Sequence, residues 1–150
     1  MRLAEYLIRA ARKEDFPAIR SLIREGQINP FELDWRRFLV ADSPDGELLG
    51  CGQIKSHADG SRELASIAVR EQARGQGIAR AVIEELLRQQ AARPLYLMCR
   101  NALGALYSKF GFRPIEYQEM SPYFQRISRL ERLLTRRGNP SERLLVMRLD

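Results

Sequence analysis

A mixed α/β fold of the α+β kind is expected, and three features of the chain predict it. Residues 63–69 alternate, with Ala65, Ile67 and Val69 on one face, as a strand requires. Beyond them Ile78, Ala79, Val82, Ile83, Leu86 and Leu87 recur at helical spacing. Residues 95–99, Leu-Tyr-Leu-Met-Cys, form an almost continuous apolar run, which suits a buried strand. Strand, crossover helix and strand make a central βαβ unit with its two strands parallel.

The other elements follow in order. Residues 6–9 read as a short strand, and Phe16, Ile19 and Ile23 share one face of a helix that Gly26 ends. Asn29-Pro30 is expected to begin a second short helix through Asp34, because proline suits a first helical turn. The segment from Asn29 to Trp35 has two readings, an acceptor pocket wall or a lid on the core. Residues 37–41 and 47–56 are strands joined by the turn residues Ser43-Pro44-Asp45-Gly46, and His57-Ala58-Asp59-Gly60 turns the chain again into residues 63–69. These N-terminal strands therefore form an antiparallel meander. The long helix should end near Ala92-Arg93, before Pro94. Asn101 can cap a helix that closes at Gly111, with Leu103, Leu106 and Phe110 as its apolar stripe and Tyr107 on the flank. Tyr123, Ile127, Leu130 and Leu134 form the stripe of a helix inserted between the last strands, surrounded by Arg126, Arg129, Arg132, Arg136 and Arg137. Gly138-Asn139-Pro140 stops it, and residues 143–149 make the final strand.

Composition narrows the class. The 150 residues fit one domain, 1–150, and 45% hydrophobic with 29% charged residues is the balance of a soluble globular protein. No apolar run approaches the roughly 20 residues that span a bilayer, and the N-terminus has no secretory pattern, so a cytoplasmic protein with no membrane partner is expected. Cys51 and Cys99 lie in predicted strands and share no metal-ligand spacing with His57, which reads as a surface histidine at a strand end; no metal is expected. A net charge of +6 favours anionic ligands, but no zinc spacing or long basic tract marks a nucleic-acid module. A homodimer stays open.

The chemistry concentrates after residue 69, in Arg70-Glu71-Gln72-Ala73-Arg74-Gly75-Gln76-Gly77-Ile78-Ala79-Arg80. Gly75 and Gly77 permit a tight turn and close approach to the backbone, and the helix that follows points its first N–H groups and its positive dipole end at the loop. Arg74 and Arg80 add charge. Such a loop suits a phosphate-bearing ligand. It has no Gly-Lys-Ser/Thr ending of a P-loop, and Arg80 stands where a dinucleotide fingerprint needs a small residue.

The spacing Gln72-x-x-Gly75-x-Gly77 after a strand resembles the acyl-CoA signature of the GNAT superfamily of N-acetyltransferases. Asn101, Tyr107 and the ending Tyr-x-Lys109-x-Gly-Phe resemble that family's second motif. The resemblance covers about residues 47–117, departing at Glu71, where relatives often carry proline, and in the long insert from Tyr117 to Asn139. It implies a GNAT-like sheet and transfer of an acetyl group from acetyl-CoA, as co-substrate, to the amine of a small molecule or peptide by direct attack. The residues from Gln72 through Ala79, with Ala73, Gln76 and Ile78 among them, would supply amides to the CoA pyrophosphate, with Arg74 and Arg80 beside them. Ile67, Ala68 and Val69 would pair with pantetheine, and the Val69 amide would polarise the thioester carbonyl. Asn101 would orient pantetheine or acceptor, and Lys109 completes the second motif. Tyr107 would protonate the departing thiolate, and Glu63 would take the amine proton through water. Two other readings stand beside this one: an acyl-CoA sensor without turnover, and an arginine-rich protein acetyltransferase associated with RNA or the ribosome.

Overall fold

A computed structural model describes residues 5–134 and 143–150. The chain divides into two compact units: the segment up to Lys55 with Ala65–Ala91, and Ser56–Leu64 with Ala92–Asp150. Arg136, Arg137 and the Gly138-Asn139-Pro140 stop lie outside the described residues.

In the first unit β1 (Leu7–Ala10) pairs antiparallel with β2 (Phe38–Asp42), and β2 with β3 (Leu48–Ser56). The hydrogen-bonded order continues from β3 to β4 (Arg62–Val69), whose first three residues belong to the second unit. Helix α1 (Phe16–Glu25) turns Ile19, Leu22 and Ile23 into a core with Phe38, Val40, Cys51 and Ala68. Helix α2 (Ile78–Gln89) buries Ile78, Val82, Ile83 and Leu86, ending a turn earlier than the approach of Pro94 suggests. Two glycines of β3 make room for it. A Cβ on Gly52 would stand 2.6 Å from Ile67 and 2.9 Å from Val82, and one on Gly50 would stand 2.8 Å from Ile78.

The more deeply buried face of β4 is not the one that alternation selects. Leu64, Ser66 and Ala68 are buried, whereas Ala65, Ile67 and Val69 are half-buried. Both faces are covered: Ala68 joins the α1 core and Ile67 lies against the side of Gly52 that α2 fills, so period two cannot rank them. The short helix expected over residues 29–34 does not form. Asn29 Oδ1 accepts the Phe31 N–H at 3.0 Å, an Asx turn that diverts the backbone from helix propagation. A single 3-10 turn, Trp35–Arg37, follows, with Asp34 accepting the Arg36 N–H.

In the second unit β4 pairs parallel with β5 (Leu95–Arg100) at Glu63↔Tyr96 and Leu64↔Leu97, as a βαβ unit requires. Strand β7 (Leu144–Leu149) lies antiparallel to β5, and the two-residue β6 (Arg113–Pro114), too short to leave a sequence signal, pairs with its far side. Within this unit the strand order is β4-β5-β7-β6.

Helix α3 is only Gly104–Ser108, preceded by a 3-10 turn, Asn101–Leu103. Its leucines do not form a buried stripe, for Leu103 and Leu106 are each 43% exposed. It packs instead through Gly104, where a Cβ would meet Leu145 at 2.7 Å, and through Tyr107, edge-on to Phe112. Helix α4 (Pro122–Leu134) occupies the insert. Its anchor is Phe124, fully buried and stacked on Tyr96, while Leu130 and Leu134 of the expected stripe are exposed. No helix among the described residues is long and apolar enough to cross a membrane.

Candidate active site

The glycine loop belongs to the first unit. Strand β4 ends at Val69, a 3-10 turn covers Glu71–Ala73, and Gly77 is the N-cap residue of α2. Gly75 and Gly77 have φ of +78° and +81°, a region that costs an L-residue roughly 1–2 kcal/mol. Nothing lies within 4 Å of where a Cβ would sit on either, so conformation, not packing, demands glycine. The Nε–H of Arg74 donates to the Val69 carbonyl at 3.1 Å and ties the loop to the strand end. Not every amide of the loop faces outward. The Ala73 and Arg74 N–H groups close back on the Arg70 and Glu71 carbonyls, at 2.9 and 3.3 Å. Ile78, Ala79 and Arg80 open a helix whose first amides have no intrahelical acceptor. The Arg80 side chain is exposed and pairs with Glu84 at 2.7 Å, which offsets part of the charge it brings.

The second unit holds the two residues expected to move protons. Glu63 is buried, 4% exposed, although a strand-start glutamate usually faces water. Its Oε1 lies 2.8 Å from His57 Nε2, so the histidine is a buried partner rather than a surface residue. The imidazole stacks on Tyr123, with centroids 3.6 Å apart, and meets Phe124 edge-on. One turn explains the pairing. The His57 N–H donates to Ser61 O and the Gly60 N–H to His57 O, closing a hairpin that sets residue 57 close to residue 63. The register of that hairpin is the sequence signal that reveals the pair; composition hides it. From the same turn Asp59 Oδ2 accepts the Tyr123 N–H at 2.9 Å, and hydrogen bonds from Ser61 and Tyr123 hold its carboxyl well below the usual range against the desolvation that opposes them.

Tyr107 is half-buried, and burial pushes its phenol up to about 12. Asn101 and Lys109 are exposed at the two ends of the same short segment, and the Asn101 N–H donates to Arg143 O at 2.8 Å. Burial likewise pushes the Cys99 thiol up to about 11 and the Cys51 thiol to about 12. Each of these three acids keeps its proton in the folded state at pH values where the unfolded chain releases it. Their contribution is complete below about pH 9 and is lost as pH rises towards 12. The melting temperature should therefore fall from pH 9 upward, and less steeply in a Cys51→Ala/Cys99→Ala variant; equal slopes would refute the assignment. Among the described residues no group of three or more His, Cys, Asp or Glu side chains is placed to hold a metal ion.

Comparison with known proteins adds to this geometry. The model of the acetyltransferase (GNAT) domain matches residues 34–114. An amino-acid acetyltransferase of Mycobacterium tuberculosis is 30% identical over 124 residues, 73% of this chain and 70% of that protein. Among solved structures, N-acetylglutamate synthase from Neisseria gonorrhoeae, complexed with coenzyme A and N-acetyl-glutamate, superposes with a TM-score of 0.74 at 22% identity. That match covers 99% of this chain but 35% of the synthase, so the chain spans about a third of its length. A Mycobacterium tuberculosis protein solved with CoA superposes at 0.70 with 24% identity, over 95% of this chain and 98% of that one. With the glycine-loop signature in place and the family model matching more than half of its length, the chain belongs to the GNAT family of acetyl-CoA-dependent acyltransferases.

Proposed function

We propose that this chain transfers the acetyl group of acetyl-CoA to the amine of a free amino acid, by direct attack in a ternary complex. The observation that carries the donor half is the loop at the start of α2, where two glycines at positive φ precede a helix N-terminus. The acceptor half rests on the amino-acid acetyltransferase relative at 30% identity. In this reading the amides at Gly75–Gly77 and the first turn of α2 hold the pyrophosphate, and the edge of Ile67–Val69 takes the peptide-like pantetheine arm. The Val69 amide polarises the thioester carbonyl as the oxyanion forms. Glu63 receives the proton that the amine loses, and Tyr107 supplies one to the departing thiolate. A proton donor is what turnover needs and what a sensor does not.

Acetyl-CoA should raise the melting temperature with concentration, since it binds only the folded chain. Gly77→Val should abolish that rise. The valine places a branched Cβ at φ +81°, and the loop must abandon the conformation that aims its amides. No shift in the wild type, together with no heat of binding by calorimetry, would remove the reading altogether. The acceptor is then sought by acetyl-CoA consumption across the L-amino acids, polyamines, aminoglycosides and peptides, read as released thiol.

A further inference from the structure

Strand β3 buries two polar side chains where an apolar pair would pack more cheaply. Gln53 is 0% exposed and Lys55 is 2% exposed. Two residues apart on one strand, they share a face. Both reach the segment that follows α1: Gln53 Nε2 donates to Glu32 O at 3.4 Å and to Ser66 Oγ at 2.8 Å, and Lys55 Nζ donates to Phe31 O at 3.1 Å. The carbonyl of Glu32 can only accept, which fixes the amide's orientation. Gln53 Oε1 is consequently a buried acceptor without a donor among the described residues. Lys55 has three donors, one of them used, and no carboxylate pairs with it among the described residues. Burying an amino group and an unfilled amide oxygen opposes folding unless something else is gained.

We propose that Lys55 and Gln53 form the acceptor subsite, taking an α-amino acid by its two ends. The carboxylate pairs with Lys55 Nζ, and an N–H of the amine donates to Gln53 Oε1, which leaves the nitrogen lone pair free. Placement agrees with chemistry. Gln53 is bonded to Ser66, itself at φ +61° and one residue before the Ile67–Val69 edge proposed for pantetheine. The covering segment has room to withdraw. Phe31 and Glu32 also line a cavity of about 910 Å³ with Arg20, Arg24 and Ile28, and Gln27 and Glu32 sit at φ of +54° and +58°, conformations that store strain in residues other than glycine. This inference rests on the amino-acid reading above and names the residues that would enforce it.

The test is acetyl-CoA consumption with each L-amino acid and with its decarboxylated amine, in the wild type and in Lys55→Met. The wild type should acetylate at least one amino acid and not the matching amine. Lys55→Met should raise KM for that amino acid by about 10- to 100-fold, the loss of one charge-assisted hydrogen bond, and leave KM for acetyl-CoA alone. It should also melt at or above the wild-type temperature, because an apolar side chain replaces a buried cation. A purely structural lysine would show the opposite pair, a lower melting temperature and an unchanged KM. Gln53→Leu, expected to raise the same KM about tenfold, serves if Lys55→Met does not fold. An amino-acid acceptor whose KM ignores both substitutions, or equal use of the decarboxylated amine, overturns the subsite alone. If no amino acid is acetylated while acetyl-CoA still raises the melting temperature, the acceptor reading fails and the subsite with it.

Discussion

Tyr107→Phe should lower kcat by roughly 10²- to 10⁴-fold while the acetyl-CoA dissociation constant stays within about twofold. The ring keeps its edge contact with Phe112, 6.5 Å between centroids, so α3 should hold its place and the loss report the hydroxyl alone. Burial pushes that hydroxyl to about 12, which makes it a donor at every pH of an ordinary assay. Such a phenol gives up its proton reluctantly. In the proposed mechanism its main work would be a hydrogen bond to the thiolate as negative charge gathers on sulfur, with full transfer completed as the product leaves. The expected kcat profile of the wild type therefore has no basic limb from this residue below about pH 10. A kcat unchanged in Tyr107→Phe would assign the role to water or to another side chain.

Glu63 and His57 give the second large effect, and two substitutions separate chemistry from architecture. Glu63→Gln keeps an oxygen that accepts from His57 Nε2 and keeps the volume, but loses the basic carboxylate; kcat should fall roughly 10²- to 10⁴-fold with the melting temperature nearly unchanged. His57→Ala removes the partner and the ring that stacks on Tyr123, leaving a buried carboxylate short of a donor at a cost of about 1–3 kcal/mol. Thermal denaturation should register the second variant far more than the first. A Glu63→Gln enzyme with wild-type kcat would show that the amine loses its proton elsewhere and that the pair is part of the scaffold.

Much of the fold is legible in the sequence because strong periodicity and punctuation coincide. Phe16–Glu25 and Ile78–Gln89 carry complete apolar faces, and the turns at Gly46 and Gly60 hold positive φ as the residue type implies. The glycine loop is legible because its requirement is local. What escapes depends on partners distant in sequence. Nothing local to residues 47–56 marks Gln53 and Lys55 as interior, yet every residue of β3 but Ser56 is buried. Leu103 and Leu106 read as core and face outward, because a five-residue helix meets its neighbour through Gly104 instead. His57 reads as isolated until the hairpin register is known, and helical spacing from Tyr123 selects a stripe one position away from the true anchor, Phe124.

The hydrogen bond from the Tyr123 N–H to Asp59 reaches across 64 residues, and it bears on the order of assembly. The first turn of an ordinary helix finds its acceptor within a few residues and can form as soon as it is made. Part of the first turn of α4 depends on a turn synthesised long before it, so closing that loop costs on the order of 3–4 kcal/mol of chain entropy before any contact repays it. Helix α4 is therefore expected to dock after the hairpin at residues 57–61 has formed. A circular permutation that opens the chain between α3 and α4 should disturb the early steps of folding little, whereas one that opens the 57–61 turn should leave this helix without its cap.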